Sequence, residues 1–117
     1  MTDRELLEFA AKAASYQIEG EADKLVVFPG HFSGGFSIFN DMGGSSLWNP
    51  LTDDGDALRL VVRLGLRLSV ANDLGVVFCT SADRETHQAS EGFGADKQAA
   101  TRRAIVLAAA AIGKEMP

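Results

Sequence analysis

Leu66, Leu68 and Val70 alternate with Arg67, Ser69 and Ala71, and after Asn72-Asp73 the chain is apolar at nearly every position from Leu74 to Cys79. Strict alternation is the period of a strand with one covered face. Asn72-Asp73 is turn chemistry, so the two segments read as a hairpin. A strand apolar at successive positions is expected in the centre of a sheet, covered on both sides. This pair therefore constrains the fold more than any other feature: it demands a sheet and predicts helices packed on both of its faces.

Three segments supply helices. Thr2 followed three residues later by Glu5 makes a capping box, and Leu6, Leu7, Ala10, Ala11 and Ala14 recur at helical spacing, which predicts a helix over about 3–15. After Pro50 a second helix begins with Asp53, Asp54 and Asp56 in its first turn, where carboxylates meet the positive end of the helix dipole. Leu58, Val61 and Val62 are read as its buried stripe, and Gly65 as its left-handed cap. A third helix is expected over about 96–112, with Gly113 as cap and a stripe of Ile105, Ala108, Ala109, Ile112 and Met116. Leu107 falls on the opposite side with Ala110, which implies either a second buried surface or a small interface patch.

Further strands are expected at 25–28 and 36–39, joined by a glycine-rich loop over 29–35. Residues 20–24 read as a charged turn and 41–46 as a flexible stretch. Residues 80–96 are polar, hold one aromatic, Phe93, and offer at most an edge strand near 86–90; this is the most mobile segment on sequence grounds. The predicted order is αββαββ(β)α in one domain over residues 1–117. The fold class is α+β, a three-layer α/β/α sandwich with three helices and a mainly antiparallel sheet of four to five strands.

Of the 117 residues 46% are apolar and 23% charged, a balance that can bury a core. No apolar run reaches the roughly 18 residues of a membrane-spanning helix, and residues 1–5 lack a signal-like pattern, so a cytoplasmic setting in a host cell is expected. Cys79 is the single cysteine, which excludes an intramolecular disulfide and a cysteine metal cluster within one chain. Its place in an apolar run suits a small buried hydrophobe rather than a nucleophile. A net charge of −5 argues against generic nucleic-acid binding, and Lys97, Arg102 and Arg103 read as a solvated face.

Three segments resemble a family of small phage and prophage proteins built on the phage ABA sandwich domain. They are Met1-Thr2-Asp3-Arg4-Glu5-Leu6-Leu7 with the Ala-Ala-Lys-Ala-Ala run that follows, then residues 48–60, which open Trp48-Asn49-Pro50-Leu51-Thr52-Asp53-Asp54, then Ala100-Thr101-Arg102-Arg103-Ala104-Ile105-Val106. About half the chain is covered. The resemblance implies a layered helix-sheet-helix fold and a phage genome; it carries no activity, ligand or catalytic residue.

Asp53, Asp54 and Asp56 form the densest carboxylate cluster. Adjacent helical positions point in different directions, and capping with dipole compensation accounts for all three without a metal. Trp48, Asn49, Pro50 and Asp53 read as a structural anchor at the entry to the second helix. His31 and His87 are the only histidines, and neither has ligand or hydrolytic spacing. Residues 30–35 and 92–97 resemble phosphate loops superficially: the first has no lysine, and Asp96 in the second would repel an anion.

These features predict no cofactor, no metal, no catalytic group and no membrane contact. The preferred function is a non-enzymatic accessory protein that binds a host or phage protein, in its sharper version an inhibitor of a host defence complex acting by acidic surface mimicry. The expected contact residues are His31, Phe32, His87, Phe93 and Leu107. The alternatives are a small enzyme or ligand-binding module using Asp53, Asp54 or Asp56 with His31 or His87, and a component that self-associates through the Leu107 face.

Overall fold

The computed structural model describes residues 2–21, 36–39, 45–81 and 88–117. In chain order the elements are α1 (Asp3–Ala13), β1 (Ile18–Glu21), β2 (Phe36–Phe39), β3 (Ser45–Trp48), α2 (Asp54–Leu64), β4 (Leu66–Ala71), β5 (Val76–Ser81), β6 (Gln88–Gly92) and α3 (Lys97–Glu115). The fold is α+β. Its strands form two antiparallel sheets, ordered β1-β2-β3 and β4-β5-β6, in place of the single sheet of four to five strands expected.

Local chemistry sets the helix starts. The Thr2 hydroxyl accepts the Glu5 N–H at 3.2 Å while the Glu5 carboxylate accepts the Thr2 N–H at 3.4 Å, completing the capping box. Asp53 caps α2 by accepting the Asp56 N–H at 2.8 Å, and Asp96 caps α3 by accepting the Ala99 N–H at 3.0 Å. Gly65 ends α2 at φ 64°, the left-handed conformation that glycine adopts without steric cost.

α3 is the centre of the molecule. It packs against α1 and α2 and lies on β5 and β6, so Ala100, Ala104, Ile105, Val106, Ala108, Ala109, Ala110 and Gly113 are all buried. The expected single stripe is therefore corrected: this helix is covered on several sides, and small side chains let its neighbours close in. Gly113 is not the cap. It lies within α3, where a Cβ would sit 1.8 Å from the Phe9 carbonyl oxygen of α1; Met116, expected in the stripe, is the exposed C-cap.

β5 is central in its sheet, yet Val77, Cys79 and Ser81 are buried while Val76, Phe78 and Thr80 are half-buried. Val77 and Cys79 share the α3 side with Leu66, Leu68 and Val70 of β4, as the pairings Leu68 with Cys79 and Val70 with Val77 require. The expectation of equal cover on both faces thus gives way to alternation. α3 thus contacts both α1 and the second sheet.

Two strands fall where turns or flexible segments were expected. β1 includes part of the predicted charged turn at 20–24, and β3 includes Ser45 and Ser46. The predicted strand at 25–28 and the loop at 29–35 lie outside the described residues. The predicted edge strand near 86–90 is represented by β6, which lies at the sheet's edge.

Candidate functional site

The carboxylate cluster is occupied by the fold. Asp53 caps α2. Asp56, half-buried beneath it, accepts the Asn49 N–H at 2.9 Å and an Arg59 N–H at 3.0 Å. Burial raises the Asp56 carboxyl from its ordinary value, with Asp53 adding to the rise, while the Asn49 N–H and Arg59 pull it back. Asp54 receives an N–H of Arg102 at 2.6 Å, and the same guanidinium donates to the Leu51 carbonyl at 2.9 Å, which ties α3 to the entry of α2. Among the described residues no group of three or more histidine, cysteine, aspartate or glutamate side chains is placed to hold a metal.

The segment before α2 is held from within. The Asn49 side-chain carbonyl accepts the Leu51 N–H at 3.0 Å, and Pro50 is buried. Trp48 is buried, and its ring meets Tyr16 edge-on at 5.7 Å between centroids. Arg63 stands 4.8 Å over the other aromatic of that pair, Tyr16, and donates to the Ala14 carbonyl, joining the ends of α1 and α2. The Trp48 indole N–H has no acceptor among the described residues.

The cations of α3 are similarly engaged. Arg103 pairs with Asp3 at 3.2 Å and lies 3.9 Å from Glu91. Lys97 donates to the Asn72 side chain and sits 5.0 Å above the Phe93 ring. Each bridges α3 to another element, so the basic face has structural partners. Burial of Cys79 pushes its thiol up to about 11, away from thiolate chemistry near neutral pH.

His31, Phe32 and His87 lie outside the described residues. Phe93 and Leu107 are half-buried and packed against the core, so Leu107 lies on a second, partly covered side of α3.

A different surface stands out. On α2 the stripe Ala57, Leu60, Val61 and Leu64 faces inward, which corrects the expected stripe: Leu58 and Val62 are 60% and 74% exposed. They are one helical turn apart and so share a face. In β4, Leu68 and Val70 remain 39% and 40% exposed beyond buried Leu66, and Leu74 in the following turn is 66% exposed. Five large aliphatics within residues 58–74 thus reach water, two on α2, two on β4 and one in the turn that follows. Leu47 on β3 and Met116 after α3 are the other large apolar side chains exposed among the described residues. Sequence reasoning missed this surface because α2 carries two apolar stripes, 57-60-61-64 and 58-61-62, and only one can face the core. The first fits the i, i+3, i+4, i+7 pattern and was the signal that could have found it.

The chain matches no protein-family model, no curated protein and no solved structure. Among the described residues, no helix is long and apolar enough to cross a membrane.

Proposed function

We propose that this chain is a non-enzymatic accessory protein of phage or prophage type that works by binding a protein partner through the apolar surface of α2 and β4. The observation that carries the reading is that Leu58 and Val62 of α2, Leu68 and Val70 of β4 and Leu74 of the following turn are all exposed within residues 58–74. Scattered exposed leucines need no explanation, but a concentration of aliphatics marks a contact surface. The helix-sheet-helix layering implied by the phage resemblance belongs to the same proposal; its third layer would cover the Val76, Phe78 and Thr80 side of β5. A cytoplasmic setting suits a binding protein whose single thiol is buried.

Two observations work against the competing readings. The carboxylates that a catalytic or ligand site would use are engaged in capping and pairing around α2. Acidic mimicry requires carboxylates gathered on one face, whereas Asp3, Asp54, Asp56, Glu8 and Glu91 each face an arginine. Among the described residues, these pairs interleave charges of opposite sign, which weakens a field of one sign.

The test is capture of partners from host lysate on the immobilised chain, with the retained protein identified and its stoichiometry measured by calorimetry. Leu58→Asp with Val62→Asp should abolish retention without unfolding the chain, and Arg4→Ala on α1 should leave it intact. Retention that survives the double substitution contradicts the assignment of the surface.

A further inference from the structure

We draw no further inference here: the strongest candidate, the side of the β4-β5-β6 sheet turned away from α3, where Phe78 lies between Ser69 and Ser90, carries no proposal because nothing in the structure shows what covers it.

Discussion

The contact between α1 and α3 and the unit formed by α2 and β4 are both rich in aliphatic residues, yet they treat them in opposite ways. α1 and α3 bury Leu6, Leu7, Ala10, Ala11, Ala104 and Ala108 and bring their backbones so close that Gly113 has no room for a methyl group. α2 and β4 bury Ala57, Leu60 and Leu66 and leave Leu58, Val62, Leu68 and Val70 in water, with Leu74 exposed in the turn that follows. The first region spends its apolar surface on the fold. The second keeps much of its own available. Hydrophobicity alone does not tell core from interface; close approach and the choice of helix face do.

The largest expected effect lies at the tight contact. Gly113→Ala drives a Cβ into the Phe9 backbone, which cannot rotate away as a side chain would. Urea denaturation should show a loss of about 3 kcal/mol or more, the upper range for overpacking. A loss below about 1 kcal/mol would mean that α1 and α3 can separate cheaply, and the contrast between the regions would weaken.

Within α2 the contrast can be tested two residues apart. Leu60→Ala removes a fully buried side chain and should cost about 2–5 kcal/mol, whereas Leu58→Ala should stay within about 0.5 kcal/mol. Equal losses would place both side chains in the core.

Cys79 gives the next effect, on the buried face of β5. Its thiol titrates near 9 when exposed and about 11 in the fold. Above pH 9 the unfolded chain releases a proton that the folded chain retains. Stability should therefore fall as pH rises from 9 to 11, by up to about 2–3 kcal/mol. Cys79→Ala should lose that part of the slope, which a series of unfolding curves over this range would measure.

The smallest effect joins the two regions. Arg102→Ala removes the bond to the Leu51 carbonyl and the pairing with Asp54, whose side chain is largely exposed, so the ion pair itself contributes little. A loss of about 1 kcal/mol in urea denaturation is expected, most of it from the carbonyl left without its donor.

The features legible in the sequence are those decided within a few residues. Thr2 caps α1, and Gly65 turns left-handed after α2, because a cap depends on its immediate neighbours. β4 and β5 were legible as a hairpin through alternation and the Asn72-Asp73 turn. Gly113 was misread because a glycine after an alanine-rich helix looks the same whether it ends the helix or admits another one; the distant Phe9 backbone decides. β1 and β3 are short, contain glycine or serine, and gain their extended form from pairing with β2 rather than from local propensity. For the candidate surface, aromatics and histidines in polar segments are the conspicuous signals in the sequence, yet Phe93 and Leu107 are partly buried against the core. The exposed Leu58 and Val62 were assigned to the core because their neighbours compete for the same role.

The central claim is that the aliphatics on the outer side of α2 and in the turn after β4 are held for contact rather than for folding. Equilibrium urea unfolding of the chain carrying Leu58→Ser, Val62→Ser and Leu74→Ser, at a concentration where the parent chain is monomeric, tests this most directly. The account predicts a stability within about 1 kcal/mol of the parent and an unchanged slope with denaturant. A loss of about 3 kcal/mol or more would show that these side chains belong to the core and would contradict it.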